Sequence, residues 1–528
     1  MGGAGGHGEI IMLKRMNWRS TSAWLLMAMT LACAITATAA QQVINGQPGV
    51  ATRRATMRFT GLAELAKQSG WTNLVAVTQK RPHRPMPLGT NDPGGAVHGA
   101  SAGGATTFTA AAAAGGNTSP PPAISFQALL DNNTVIPPDT HGAVGPNHVM
   151  TVLNSQVRIQ DRAGIILSTV ALDLFWLPVG FVSAFDPKIL YDAAENRWIF
   201  VAMADAFTDR SAIMVAVSQT TDPTGNWNFY SVDADPNDRD WADYPSLGFN
   251  KDWIVVSANM FGITSSTNYE NIYVFNKTNL YTGGAGQFTL LKETSGIGFT
   301  MVPAITHDSN LAIEYLVEVD SLISQYFFGS VNRLRVSTIT GPVGAEQLTV
   351  GTAFATSAVP WGTSDLFGDF LPQLGSIGGI DAGDARMQNV VYRNGSLWCT
   401  HTAFFPAANP THTAAQWWQI NTNGQVQQLG QVEDPLGIVS YAYPSIAVNR
   451  FNDVLLGFSR FSPSQYASAN YAFRGSGDPT NTMQADYVLK AGEAPYFKTF
   501  GGFANRWGDY SSTVVDPIND TDMWTVQE

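Results

Sequence analysis

The sequence predicts an all-β protein, a β-propeller of about seven four-stranded antiparallel blades that follows a signal peptide and a flexible leader. Two observations lead to this prediction. A short phrase recurs seven times along the 528 residues, and each copy runs into a predicted β-hairpin. The composition is also rich in glycine, proline and aromatic residues but only 13% charged, which is typical of a globular, turn-rich β protein.

The repeated phrase is clearest at Tyr244–Phe249 and at Tyr443–Val448, where a polar turn and an apolar run follow. All seven copies share the order of opening phrase, short strand, turn and second strand, and they begin at or near Asp139, Asp186, Tyr244, Val302, Arg386, Tyr443 and Asp509. Propeller blades repeat at about 40–50 residues, and more where loops are inserted. The alternative is two β-sandwiches with coincidental hairpins.

The segments before the repeats indicate export. Lys14, Arg15 and Arg19 precede a short apolar stretch and a run of small residues ending at Ala40, as in a secretory signal peptide. We therefore assign 1–40 to a signal peptide, 41–123 to a pro-segment or disordered leader with a Gly/Ala/Pro-rich linker, and 124–528 to the propeller. The segment 124–136 is a candidate closing strand. The expected location is extracellular or periplasmic, and an N-terminal anchor is the alternative.

Charge and hydropathy exclude two classes of partner. Removing 1–40 leaves 26 Lys+Arg and 40 Asp+Glu, a net charge of −14, whereas a nucleic-acid partner needs a basic face. Beyond the signal, no segment approaches the roughly 20 apolar residues that a membrane-spanning helix needs. Cys399 is then the one remaining cysteine, so we expect a buried thiol and no disulfide within the chain.

Carboxylates cluster where the repeats begin. Because each opening phrase is predicted to start the innermost strand of a blade, these side chains are expected at one rim of the central channel: Asp139, Asp186, Asp243, Asp384 and Asp509. Carboxylate oxygens are suited to Ca²⁺, and the candidate metal ligands are Asp139, Asp186 and Asp509. A carboxylate pair is alternatively suited to glycoside hydrolysis. The simpler interpretation is that each Asp caps a turn or bonds the backbone of a neighbouring blade.

Two stretches carry a family resemblance. Ser218 to Trp227 resembles the Asp-box turn, Ser-x-Asp-x-Gly-x-x-Trp, with Asp222 and Gly225 three residues apart rather than two. With the repeated phrases and Arg506-Trp507-Gly508-Asp509-Tyr510, the chain from 124 to 528 resembles secreted bacterial sialidase-like (BNR/Asp-box type) propeller proteins of unsettled activity. In that family the Asp box is a structural turn away from the catalytic pocket.

The resemblance implies candidate site residues. Sialidase chemistry uses an arginine cluster for the substrate carboxylate, a tyrosine activated by a carboxylate and an acidic Asp. The candidate arginines are Arg386, Arg460 and Arg506, and Tyr510 is the candidate catalytic tyrosine. Candidate binding residues are His141, Tyr244, Tyr443 and Trp361, the last as an exposed sugar-stacking platform in the long insertion from about 352 to 383.

These features favour a secreted, monomeric propeller that binds an extracellular glycan or cell-surface polymer at one channel mouth. The first alternative is a sialidase-like glycoside hydrolase. The second is a structural or adhesive module without a small-molecule site. Fold alone does not distinguish these functions.

Overall fold

A computed structural model describes residues 41–69, 79–80, 117–294, 299–320, 330–363, 369–375, 378–499 and 504–528. The predicted signal peptide, 1–40, lies outside the described residues, as does most of the predicted Gly/Ala-rich linker.

Strands make up most of the described chain. The first five are short: β1 (Val43–Asn45), β2 (Gln47–Val50), β3 (Arg53–Arg58), β4 (Gln79–Lys80) and β5 (Val135–Ile136). The next eight form two antiparallel meanders: β6 (His141–Val144), β7 (His148–Val152), β8 (Gln156–Asp161), β9 (Ile166–Ala171), β10 (Ala184–Asp192), β11 (Arg197–Ala204), β12 (Ala212–Ser218) and β13 (Asn226–Asp233).

The middle of the chain supplies ten more strands: β14 (Asp240–Phe249), β15 (Trp253–Gly262), β16 (Asn268–Asn276), β17 (Gln287–Glu293), β18 (Val302–Pro303), β19 (Ile305–Thr306), β20 (Glu314–Val319), β21 (Val331–Thr340), β22 (Gln347–Thr349) and β23 (Phe354–Trp361). The last ten are β24 (Met387–Arg393), β25 (Ser396–Phe405), β26 (His412–Asn421), β27 (Val426–Val432), β28 (Ser440–Val448), β29 (Val454–Ser462), β30 (Gln465–Arg474), β31 (Tyr487–Lys490), β32 (Ser512–Val515) and β33 (Met523–Val526).

Helices are few and short among the described residues. They are α1 (Phe59–Ser69), α2 (Leu172–Trp176) and α3 (Lys277–Tyr281), with a 3₁₀ turn at Leu177–Val179. None of the helices in the described residues is long and apolar enough to span a membrane.

The innermost strands form a closed ring. Each one contacts the next, in the order β6, β10, β14, β18, β24, β28, β32 and back to β6. The second strands, such as β11 and β15, are buried at almost every position because each sheet packs between two neighbours. Burial on both faces accounts for their continuous apolar runs, where a strand with one wet face would alternate.

The structure confirms an all-β protein with a propeller arrangement, but the prediction of about seven separate four-stranded blades is wrong. Four separate sheets of four to six strands are present, and they begin at β6, β10, β18 and β28. The sheets that begin at β14 and β24 are merged into one ten-stranded sheet because β19 pairs in parallel with both strands. The last sheet contains only β32 and β33.

The repeated phrase forms a recurrent kink. Asp186, Tyr244 and Tyr443 each precede a proline, and each has a φ of +53° to +55° at a β-bulge of its strand. Left-handed backbone is costly for a residue with a side chain, roughly 1–3 kcal/mol. The kink turns these three side chains out of their sheets and towards the axis of the ring, where the candidate site lies.

The segment predicted as a disordered leader is ordered over residues 43–69. Strand β1 pairs with β22, β2 pairs with β17 and β3 pairs with β13, so this belt adds an outer strand to three sheets in turn. Helix α1 then buries Phe59 and Leu62 in the core cluster of the first two meanders. The folded unit therefore begins at Val43 rather than near residue 124.

The segment 124–136 is not a closing strand of the last sheet. It continues an extended strap in which Tyr471 Oη donates to Pro120 O at 2.5 Å and Arg158 Nη1 donates to Ala128 O at 2.6 Å. Phe126 packs against Trp524 of β33, with ring centroids 6.2 Å apart. The strap thus crosses the two-stranded sheet without pairing with β33.

Folding of the belt can be tested at Phe59. We expect Phe59→Ala to lower the free energy of unfolding by about 3–5 kcal/mol, because it empties a fully buried aromatic site. Leu65→Ala in the same helix, at a residue 38% exposed, is the matched control and should cost far less. Urea unfolding followed by tryptophan fluorescence measures both. A wild-type midpoint for Phe59→Ala would mean that the belt is not folded in solution.

Candidate functional site at the channel mouth

Nine charged side chains meet where the innermost strands begin, and we call them the ionic hub. They are Asp139, Asp186, Lys188, Asp243, Asp381, Asp384, Arg386, Arg506 and Asp509. Apart from Asp509, whose side chain is 12% exposed, all are buried residues. Six carboxyl groups thus face three basic groups in a nearly water-free environment.

Asp139 joins the first and last repeats of the ring. Its Oδ1 accepts the backbone N–H of Asp509 at 2.8 Å, and its Oδ2 accepts from Asn154 Nδ2 at 2.6 Å. Asn154 Oδ1 in turn accepts the N–H of the kinked Asp186 at 2.7 Å. One buried carboxylate therefore satisfies the backbone of the last repeat and orients the amide that caps the second.

The same capping recurs around the ring. Tyr244 donates its backbone N–H to Asp186 Oδ2 at 3.3 Å, and Tyr443 donates its N–H to Thr402 Oγ1 at 3.2 Å. Thr300, another left-handed residue, donates its N–H to Asn259 Oδ1 at 3.0 Å. The simpler interpretation of the opening carboxylates, that they bond a neighbouring repeat's backbone, thus describes Asp139 and Asp186.

Burial shapes the protonation of the hub. Burial and the charge of Asp509 raise the pKa of Asp243 to about 7. The pKa of Asp139 is raised well above its ordinary value by burial and by Asp509, and that of Asp186 by burial and by Asp243. Loss of hydration disfavours a charged carboxylate, and several carboxylates in one space add mutual repulsion. The hub consequently holds protons near neutral pH that exposed aspartates have released.

Both hub arginines are already paired. Arg386 donates through Nε and Nη2 to the two oxygens of Asp384 at 2.8 and 2.6 Å, a bidentate geometry, and its guanidinium lies 4.3 Å from the Tyr244 ring centroid. Arg506 pairs with Asp509 and, at 3.4 Å, with Asp381. A bidentate guanidinium is the group that would recognise a substrate carboxylate. Here Arg386 makes that bidentate contact with Asp384 of the protein itself.

Lys188 is held between two aromatic rings. Its Nζ lies 4.2 Å from the Tyr510 centroid and 4.8 Å from the Tyr244 centroid, which are cation–π distances. Burial lowers the pKa of Lys188 to about 8, against the raising effect of Asp186. Burial, with the charge of Lys188, lowers the pKa of the adjacent His141 to about 3, so this imidazole is neutral.

The channel below the hub is narrow. One cavity is lined by residues of all seven innermost chain segments, among them His141, Lys188, Ser246 and Tyr510, and about 20 Å³ of it is open to the centre of a water molecule. The hydroxyls of Tyr510 and Ser246 have no hydrogen-bond partner among the described residues. This space suits about one ordered water and is too small for a sugar ring.

Two long loops close the mouth above the hub, and we call them the cap. Their described parts are 362–363, 369–375 and 378–386, before β24, and 491–499 and 504–511, before β32. Asn505 fastens them, since its N–H donates to Asp369 Oδ1 at 2.6 Å and its Nδ2 donates to Gly379 O at 2.9 Å. Gln373 Nε2 also donates to Tyr496 O at 2.8 Å. The cap delivers Asp381, Asp384, Arg386, Arg506 and Asp509 to the hub.

Most sequence-predicted site residues do meet here. The structure brings together Asp139, Asp186, Asp243, Asp509, Arg386, Arg506, Tyr244 and Tyr510, with His141 beside Tyr510 and with Tyr443 donating its hydroxyl to Asp381 O at 2.6 Å. Arg460 of β29 does not join them, since its Nη1 pairs with Asp486 Oδ2, next to β31, at 3.3 Å.

Trp361 is not a binding platform, and that prediction is wrong. Its side chain is fully buried against His401 and Trp418, at centroid distances of 4.9 and 5.8 Å. Strand β23 pairs with β21 and carries this ring into the core, so only the later part of the insertion forms the cap.

Sequence analysis missed Lys188 and Asp381. Lys188 lies two residues after Asp186 on an innermost strand, and period-two alternation was a usable signal for it. Asp381 lies in the insertion, where nothing in the spacing indicates that it meets Arg506.

The predicted Asp-box turn has part of the expected geometry. Asp222 Oδ1 accepts the N–H of Thr224 at 2.9 Å, and Trp227 Nε1 donates to Pro223 O at 2.8 Å. Gly225 is not among the residues with positive φ, so the expected left-handed glycine is absent from this described turn. The turn joins β12 to β13, away from the hub.

Comparisons with known proteins provide no family. No family model matches the chain, and no curated protein matches it. Similar solved structures include an α-L-arabinofuranosidase from Lactobacillus brevis, with 10% identity, 58% of this chain and 95% of that chain covered, and a TM-score of 0.32. A Trypanosoma rangeli sialidase in complex with sialic acid also has 10% identity and a TM-score of 0.32, with 72% and 57% covered. Similarity at this level does not extend to activity.

The carboxyl groups of the hub face arginine and lysine side chains rather than surrounding a space for a metal ion. Within the described part of the chain, no group of three or more His, Cys, Asp or Glu side chains is placed to hold a metal ion.

The prediction that Asp139, Asp186 and Asp509 bind Ca²⁺ can be tested directly. Because Arg506 and Lys188 already balance this charge, we expect EDTA to leave the thermal midpoint unchanged in differential scanning calorimetry. A chelator-induced drop that added Ca²⁺ reverses would establish the metal site.

The hub should also make stability depend on pH. Below about pH 4 the Asp243 carboxyl is protonated in both states, whereas between about pH 4 and 7 the folded protein retains a proton that the unfolded chain has lost. Stability should therefore fall as the pH rises through this window. Asp243→Asn should make the fall shallower by up to about 4 kcal/mol, since one pKa unit corresponds to about 1.4 kcal/mol.

Urea unfolding at pH 4, 5.5 and 7.5 measures this slope. Asp222→Asn, at a turn carboxylate whose side chain is 52% exposed, is the matched control and should keep the wild-type slope. An unchanged slope in Asp243→Asn would mean that Asp243 is ionised throughout.

Proposed function

We propose that this protein is a secreted, non-catalytic β-propeller that binds an extracellular glycan or cell-surface polymer through the cap over the channel mouth. The observation that carries the proposal is the contrast between the hub and the cap. The arginines of the hub are paired within the protein, while the cap above it presents an exposed aromatic ring. Propellers commonly use the loops of one face for binding, because a rigid ring holds them in place.

Two aromatic residues form this surface. Phe497 lies in the second cap loop, and Tyr466 lies in β30, beside the first cap loop. Phe497 is 69% exposed, although it follows Tyr496, which the Gln373 side chain holds through both its N–H and its C=O. The ring of Tyr466 lies beside Gly375 of the other cap loop, where a Cβ would meet it at 3.8 Å. Flat aromatic faces on an ordered support match the apolar C–H faces of sugar rings.

The charge of the chain narrows the ligand class. A net charge of −14 after loss of residues 1–40 repels polyanions at a distance, so sulfated or uronic acid polymers are disfavoured. A neutral polysaccharide meets no such electrostatic repulsion. Export and a monomeric state belong to the same proposal.

The glycoside hydrolase remains the second candidate because two of the three predicted arginines lie in the hub near tyrosines, Arg386 over the Tyr244 ring and Arg506 near Tyr443. Against it stand the bidentate pairing of Arg386 with Asp384 and a channel with space for about one water.

The binding proposal is tested with Phe497→Ala in the full-length secreted protein. We expect binding to neutral polysaccharides on a glycan array to weaken at least tenfold, because the change removes the exposed ring and leaves the hub intact. Phe451→Ala is the matched control, since Phe451 is 56% exposed in the turn between β28 and β29, at the opposite end of those strands. Its binding should equal that of the wild type.

A screen of fluorogenic sialic, uronic and neutral glycosides separates the two candidates. Silence across the screen, together with binding lost in Phe497→Ala, supports a binding module. Turnover that Arg386→Lys abolishes would instead establish the hydrolase.

A further inference from the structure

A buried lysine connects two consecutive repeats at the end of the ring opposite the cap. Lys277, the first residue of α3, is 4% exposed. Its Nζ lies 2.6 Å from Asp192 Oδ2, at the end of β10, and donates to the backbone oxygen of Asn250 at 2.7 Å. The Phe249 ring centroid lies 5.1 Å from the same nitrogen. The hub and the proposed glycan surface do not use this lysine.

The carboxyl group of Asp192 is held in one orientation. It is fully buried, and Tyr281 Oη donates to Oδ2 at 2.8 Å. The backbone N–H groups of Ala194 and Glu195 donate to Oδ1 at 3.1 and 3.2 Å. Donors to Oδ1 withdraw electron density from Cγ, as an oxyanion hole does. The nitrogen of Lys277 approaches from the side of Oδ2, the oxygen without backbone donors.

A second carboxyl group supplies the third component. Glu314, at the start of β20, is 1% exposed, and its Oε1 has no hydrogen-bond partner among the described residues. Burial raises the pKa of Glu314 well above its ordinary value, and the charge of Lys277 only partly opposes this. A neutral Glu314 leaves one anion, Asp192, for the single cation, and it keeps a proton close to that pair.

We propose that Lys277 Nζ and Asp192 Cγ become joined by an amide bond in the folded protein. In the step, the ammonium group gives a proton to the Asp192 carboxylate, which yields a neutral amine and a neutral acid. The nitrogen lone pair attacks Cγ, the C–N bond forms, and the C–Oδ2 bond breaks. The oxygen leaves as water with two protons from the amine and acid groups. No oxidant, reductant or other reactant is needed.

The folded protein favours this condensation in two ways, by holding the reacting groups together and by removing their hydration. The groups are held at contact distance, which replaces a bimolecular encounter by an intramolecular one. Burial also removes the hydration that stabilises the ion pair against the neutral amine and acid. We assign Glu314 as a positioning residue, because its neutral carboxyl keeps Asp192 as the single anionic partner of the lysine. The product ties the end of β10 to the turn after β16, and so links two consecutive repeats covalently.

Peptide mapping by mass spectrometry tests the proposal on the full-length protein, denatured before trypsin digestion. We expect the peptide 189–197, which contains Asp192, to be joined to a peptide spanning 252–292 in which cleavage after Lys277 is blocked. The joined mass should be one water less than the sum of the two. Lys277→Arg keeps the positive charge but lacks the primary amine, and it should abolish the joined peptide.

Lys498→Arg is the matched control, because Lys498 is also buried and ion-paired, with Asp131. Its joined 189–197 peptide should persist. Glu314→Gln keeps a neutral side chain of nearly the same shape, so its joined peptide should persist, and loss of linkage in that variant would overturn the assignment of Glu314. Separate, unmodified peptides 189–197 and 252–277 from the wild type would overturn the amide bond and leave an ordinary salt bridge. This result needs no variant to fold.

Discussion

Asp139 holds the first and last repeats of the ring together through both of its carboxylate oxygens. In a ring of sheets the first and last repeats are neighbours in space although they are far apart in the chain. Side chains at this junction must therefore satisfy the backbone hydrogen bonds of both repeats. Asp139 accepts the N–H of Asp509 and, through Asn154, helps to cap the kinked Asp186. The hub and the cap both depend on this junction, since Asp509 belongs to the second cap loop and also pairs with Arg506.

The left-handed kinks explain why so much charge is buried at one place. Each kink costs some backbone energy but turns an opening side chain, such as Asp186 or Tyr244, towards the axis. The carboxylates that arrive there would be unstable alone, because desolvation of unpaired charge is expensive. Arg386, Arg506 and Lys188 compensate them. The hub is thus primarily a device that joins repeats, whereas the second cap loop carries the exposed ring of Phe497.

Sequence reasoning reached the hub but not its surroundings. The repeated phrase located the innermost strands, and with them Asp139, Asp186, Asp243 and Asp509, because a repeat places equivalent residues at equivalent points of a ring. The belt from Val43 was missed, since β1 and β2 are short and mostly exposed and become strands only against the edges of β22 and β17. Trp361 was misplaced because an insertion contains no periodicity that would show where its strand ends.

The sequence by itself determined the all-β architecture and the clustering of carboxylates, because these follow from local pattern repeated along the chain. Only the tertiary structure decided the pairing of the hub arginines, the burial of Trp361, the interlocking of the two cap loops by Asn505, and the contact of Lys277 with Asp192. Each of these joins residues far apart in the chain. Local propensity does not encode such contacts, because they are set by how whole sheets pack around the ring.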